Sequence, residues 1–413
     1  MNRFLKLTAL GGVVVAVLIT MILRTGLASA TSKSSCGSWN VVSNPSPDSS
    51  FNSLNGIAAV SANDIWAVGF SDSSGLIEHW DGTQWSVIPN STPGNFSRLS
   101  AVSAISASDV WAVGDYSGAN SVDLTLIEHW NGTQWSIVPS PNPGAAFNEL
   151  SGVVAISAND VWAVGIYGGP DANPNPSGTL IEHWDGKQWS VVAHPTDMNG
   201  ITTGATFAGI AGIPGNHFRS DAWTVGNYEP SGTIPIQTLT EHWNGFKWEI
   251  VGSPSPSTSE NYLNGVTVIT PDNAWAVGRY FNQRSALYQT LVEHWNGGHW
   301  GVVSSPNANS TDSGLNSVAA LSASDIWAVG DYLTNGDNGV YQTLIEHWDG
   351  KQWSIAPSPN VGTNNNFLYS VTKVPTTQQA WAAGVYNDNL GGSHTLTQSF
   401  CYGPSSLQFR HKP

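Results

Sequence analysis

Six Glu-His pairs stand out as residues that could do chemistry: Glu78-His79, Glu128-His129, Glu182-His183, Glu241-His242, Glu293-His294 and Glu346-His347. A carboxylate beside an imidazole suits metal ligation or general acid-base work. Each pair lies in a run of the form T-L-I-E-H-W, which reads as a β-strand. Successive strand residues point to opposite faces, so the Glu and His of one pair cannot share a site. A feature repeated six times is expected to be a structural ladder of buried, hydrogen-bonded polar groups. The Asp before W-A-V-G in five of the units (Asp64, Asp109, Asp160, Asp221 and Asp325) is expected to be a turn residue capping a hairpin.

Residues that do not repeat are better site candidates. Arg98, Arg279 and Arg284 are the basic residues that fall in the variable segments, whereas Lys187, Lys247, Lys351 and Arg219 map to invariant turns. Arg279, Tyr280, Phe281, Arg284 and Tyr288 fall together, a grouping that suits an anchor for a carboxylate or sulfate, with Asp331 and Glu260 as alternative internal partners. Tyr116, Tyr167, Tyr228, Tyr280, Tyr332 and Tyr386 each follow a W-A-V-G glycine by two residues, with Phe70 in the first unit. A tyrosine offers a flat apolar face and a hydroxyl, which suits sugars or protein side chains; the same residues can equally cap a core. Asp115, Asp171, Asp337 and Asp388 sit among Asn and Gly, but no spacing matches a calcium loop, and no metal or cofactor is expected. No G-x-S-x-G, H-E-x-x-H or phosphate loop appears.

The elements that position these residues come from an internal repeat. The W-A-V-G tryptophan recurs at 66, 111, 162, 223, 275, 327 and 381, at intervals of 45 to 61 residues. Six units carry E-H-W (Trp80, Trp130, Trp184, Trp243, Trp295, Trp348), each followed five residues later by a further Trp (Trp85, Trp135, Trp189, Trp248, Trp300, Trp353). With Trp39, this assigns all 20 tryptophans to the frame. Every unit holds four short apolar and β-branched runs, hence a four-stranded antiparallel meander, and Asp-Gly or Asn-Gly between the third and fourth runs suggests a type I′ turn. Units of this size cannot bury both faces alone. The sequence therefore predicts an all-β seven-bladed β-propeller over residues 31–403.

The seventh unit lacks its fourth run. Thr395-Leu396-Thr397-Gln398-Ser399-Phe400 aligns with T-L-I-E-H-W, and the missing run is found at Gly37 to Pro45, so the N-terminal strand is expected to close the last blade. On the repeat template Cys36 and Cys401 occupy adjacent turn positions, which predicts a disulfide across the closure. The strand order, the glycine ending the second strand and the paired aromatics resemble kelch-type repeats. A single glycine (Gly114, Gly165, Gly278) stands where kelch repeats have two. The copper chemistry of galactose-oxidase-type relatives is not implied, because the alignment commits both cysteines to closure.

Arg3 and Lys6, the apolar run Leu7–Leu23 and Ala28-Ser29-Ala30 read as a signal peptide over residues 1–30, with an uncleaved anchor as the alternative, and residues 404–413 as a tail. Cleavage removes three cations and no acid, taking the net charge from −15 to −18. Nucleic acid and anionic membrane surfaces are thereby disfavoured as partners. Charged residues are 10% of the chain where about 25% is usual, which argues against long exposed helices. The segments between second and third strands and between blades share one face and vary, from six residues after Gly69 to thirteen in Ile166–Gly178. Binding is expected there. The function expected is a secreted, monomeric binding protein for a glycan or protein; a polysaccharide lyase or glycoside hydrolase, and a structural envelope module, are the alternatives.

Overall fold

The computed structural model describes residues 36–48, 50–91, 93–169, 178–195, 202–215, 220–230, 235–308, 312–334 and 339–402. The leader at 1–30, the tail at 404–413, Asp171, Asp337 and Arg219 lie outside these residues. Seven four-stranded antiparallel sheets form the blades of a β-propeller. Blade 1 runs outward from its inner strand Asn52–Ser61 through Asp64–Ser71 and Ser74–Trp80 to the short outer strand Trp85–Val87. The inner strands contact one another in succession, and the seventh returns to the first, which closes the ring.

Blade 7 carries the closure that the repeat predicted. Its inner three strands are Asn366–Lys373, Gln379–Asn387 and Ser393–Cys401, and its outer strand is the N-terminal Trp39–Val42. Trp39 lies opposite Phe400, just as Trp85 lies opposite Trp80 in blade 1. Cys36 and Cys401 form the disulfide, with Cα atoms 4.8 Å apart and a separation of 365 positions in sequence.

One aromatic contact is repeated between blades. Trp66 of blade 1 packs against Trp130 and Trp135 of blade 2, with centroids 5.0 and 5.3 Å apart. Trp111, Trp162, Trp223 and Trp275 repeat it, and Trp381 meets Trp80 and Trp85 across the closure. At the interface of blades 6 and 7, Trp327 meets Phe400 and Trp39 instead. The glycine of W-A-V-G is required by strand approach. A Cβ on Gly69 would stand 1.9 Å from the carbonyl oxygen of Ser53 on the inner strand.

The turns between third and fourth strands differ from expectation. Gly82, Gly132, Gly186, Gly245, Gly297 and Gly350 have positive φ, but the Asp or Asn before each does not, so a type I′ turn is not formed. Four residues separate the facing tryptophans. The first accepts backbone N–H bonds with its side chain, as Asp81 Oδ1 does from Thr83 and Gln84 at 2.8 and 2.9 Å.

Candidate functional site

The Glu-His motif divides between two blade interfaces, as strand alternation requires. In blade 1, Glu78 lies opposite Ala67 and His79 opposite Trp66. The His79 ring stacks on Trp66 at 4.3 Å, and its Nε2–H donates to Asp64 Oδ1 at 2.9 Å. His129–Asp109, His183–Asp160, His242–Asp221 and His347–Asp325 repeat the bond at 2.9 to 3.0 Å, and His294 uses Asn273. The aspartates therefore do not cap the first hairpin. They fix the ring that lies on the W-A-V-G indole.

Each glutamate is fully buried. Burial pushes Glu78, Glu182 and Glu346 up to about 8 and Glu128 up to about 7; it also raises Glu241 and Glu293. These groups sit within the frame, away from solvent.

The tyrosine series packs against the blade cores. Tyr116, Tyr167, Tyr280, Tyr332 and Tyr386 are half-buried there, and Tyr228 is buried. Three hydroxyls donate to a glutamine on the third strand: Tyr228 to Gln237, Tyr280 to Gln289 and Tyr332 to Gln342, at 2.6 to 2.7 Å. Tyr116 also borders a groove of about 360 Å³ with Asn95, Gly118 and Leu124.

The non-repeated cluster in blade 5 is built on register. The inner-strand Tyr262 lies opposite Arg279 on the second strand, and Phe281 lies opposite Tyr288 on the third. All four side chains therefore share one face of the sheet. The Arg279 guanidinium carbon lies 5.4 Å from the Tyr262 ring centroid and 4.8 Å from that of Tyr288. Both tyrosine hydroxyls donate to Glu260. Phe281 packs edge-on against Tyr288 at 5.4 Å. Arg279 is exposed, and among the described residues it forms no ion pair within 4.0 Å. Asp331, whose Oδ1 accepts from Asn316 at 3.1 Å, is raised by burial to about 6 despite the positive charge of Arg279.

Tyr280, on the opposite sheet face, does not join this cluster. Arg284 stands exposed in the neighbouring hairpin, its backbone N–H bonded to Asn282 Oδ1 at 3.0 Å. Tyr262 escaped sequence reasoning, and Glu260, expected as an acid partner of the arginines, accepts from the two tyrosines instead. The pairing of inner and second strands, read through the bulge after Leu263, is the signal that places Tyr262 beside Arg279.

Other candidates are engaged internally. Arg98 donates to Asp115 at 2.6 Å and to Glu149 of blade 3 at 2.8 Å, bridging two blades. Burial raises Asp115 to about 6 against the pull of Arg98. Asp388 accepts the backbone N–H groups of Leu390 and Gly392 and pairs with His394; the His394 hydrogen bond, with those N–H groups, holds it at about 2. Among the described residues, no group of three His, Cys, Asp or Glu side chains is placed to hold a metal ion.

No family model and no curated protein matches the chain. Solved structures share its fold. One is described as YCF48 bound to D1 peptide, with a TM-score of 0.52 and 13% identity, covering 89% of this chain and 99% of that one. YCF48 from Cyanidioschyzon merolae gives 0.50 and 16%, over 88% and 98%. An ulvan lyase, a polysaccharide lyase bound to -[GlcA(1-4)Rha3S]-, gives 0.53 and 12%, over 87% and 95%. At these identities the likeness is one of fold.

Proposed function

We propose that this is a secreted, monomeric binding propeller, akin in architecture to kelch-type repeats, that recognises a glycan or protein ligand through its variable-loop face. The observation that carries the reading is the blade 5 cluster. Arg279 is exposed, free of an ion pair among the described residues, and lies over the rings of Tyr262 and Tyr288, whose hydroxyls are tied to Glu260. The shelf presents a guanidinium for a carboxylate or sulfate beside aromatic faces for a sugar ring or an apolar side chain. Arg284 and Phe281 extend it, and the tyrosines Tyr116, Tyr167, Tyr228, Tyr280, Tyr332 and Tyr386 border the same face. The disulfide fits an oxidising compartment, in keeping with export.

Burial, reinforced by the hydrogen bonds and negative charge of Glu260, pushes Tyr262 and Tyr288 up to about 12, so both present neutral hydroxyls that donate to Glu260. The similar propellers include one bound to a peptide and one bound to a saccharide, so both ligand classes belong in the test. The mature chain is screened on glycan and peptide arrays, then again as Arg279→Ala, Tyr280→Ala and Arg284→Ala. Weakened binding in the Arg279 variant is expected, and binding indifferent to all three changes would remove the proposed site.

A further inference from the structure

Each of blades 1 to 6 buries one carboxyl against the preceding blade, at Glu78, Glu128, Glu182, Glu241, Glu293 and Glu346. Blade 7 has an amide there. Gln398 lies between Val41 and Ala382 as Glu78 lies between Val87 and Ala67, is equally buried, and donates from Nε2 to the Pro359 carbonyl at 2.9 Å. Glutamine has the shape of a protonated glutamic acid, so the seventh position records what this environment accommodates.

What faces each carboxyl is set by the residue five positions after the preceding outer-strand tryptophan. Asn44 and Asn90 donate from Nδ2 to Glu78 and Glu128, both at 3.1 Å, and His194 Nδ1 lies 3.3 Å from Glu241. At the other three interfaces this residue is Ser140, Ser253 or Ser305. Its short side chain turns back to a threonine of its own blade, Thr125, Thr238 or Thr290, at 2.6 to 2.7 Å. Neither carboxyl oxygen of Glu182, Glu293 or Glu346 has a hydrogen-bond partner among the described residues. Among the described residues, no charged group acts on these three, and His194 is the titratable side chain that faces any of the six. A bare carboxylate is strongly disfavoured in such surroundings, whereas a neutral acid is tolerated.

We propose that these interface carboxyls are neutral acids in the assembled ring, and that their ionisation in alkaline solution loosens the blade interfaces, at Glu182, Glu293 and Glu346 most. The propeller is then a pH-sensitive ring, tight in acid. The raised values given above point the same way. A carboxyl whose folded pKa exceeds its unfolded value of 4.5 contributes stability that is full below that value. That contribution is lost as pH rises through about 8. Blade 4 differs in that an imidazole, His194, faces its carboxyl at Glu241.

The test is thermal unfolding of the full disulfide-bonded chain from about pH 5 to about pH 9, beside the triple variant Glu182→Gln, Glu293→Gln, Glu346→Gln. The melting temperature of the wild type is expected to fall by roughly 5 °C or more, and the variant to keep about half of that fall or less. The variant should also melt above the wild type at the alkaline end. A flat wild-type profile, or a variant that falls as steeply, would overturn the proposal. Should the variant not fold, the infrared C=O stretch of neutral carboxyl groups decides it on the wild type. Ordinary carboxylates are ionised at pH about 7, so the band should persist there and bleach towards pH about 9; its absence at neutrality contradicts the proposal.

Discussion

Trp39, in the outer strand of blade 7, meets Trp327 of blade 6 edge to face, with ring centroids 5.4 Å apart. It occupies the place that Trp85, Trp135 and their equivalents hold at the other interfaces, so the closing interface repeats the others with Phe400 as its second ring. Trp39→Ala removes a buried indole from the one blade assembled from both chain ends. A loss of about 3–5 kcal/mol in denaturant unfolding is expected. A loss below about 1 kcal/mol would mean that the terminal strand adds little to closure.

The disulfide clasps the same closure. Cys36→Ser is expected to lower the unfolding free energy by about 2–5 kcal/mol, and reductant should bring the wild type to the level of the variant. Equal stability of oxidised wild type and variant would contradict a role in holding the ring.

The histidine bonds can be apportioned by using blade 5 as precedent, since His294 is held there by Asn273. Asp160→Ala should cost about 1–3 kcal/mol, because the His183 ring on Trp162 loses its acceptor; Asp160→Asn should cost far less. An asparagine variant as damaged as the alanine one would show that charge, rather than the hydrogen bond, is what matters.

Much of the frame was legible because it repeats. Trp66 and its six equivalents marked the blades, the missing fourth run of the seventh unit pointed to Trp39, and the template brought Cys36 to Cys401. What escaped was contact between segments distant along the chain. Asp64 reads locally as a turn residue, yet its partner is His79 on the third strand. Asp81-Gly82 reads as a type I′ turn, yet the two-residue register that turn needs is replaced by a four-residue loop with only the glycine left-handed. The pairing of Glu128 with Asn90, and its lack at Glu182, depends on which blade supplies the neighbour. The blade 5 cluster is half visible in the sequence: Arg279, Phe281 and Tyr288 stand out as residues without counterparts and Glu260 as a nearby acid, whereas Tyr262 joins them only through strand register. Tyr280 was grouped with them by proximity in sequence, and alternation places it on the other side of the sheet.

Recognition through the loop face is the central claim, and a hydrogen-exchange footprint of the best array ligand tests it most directly. Protection is predicted at Glu260 to Tyr262 and Arg279 to Tyr288 in blade 5, with none in the turns at Asp81–Gln84 or Asp185–Gln188 on the opposite face. Protection confined to those opposite turns, with blade 5 unchanged, would contradict the account.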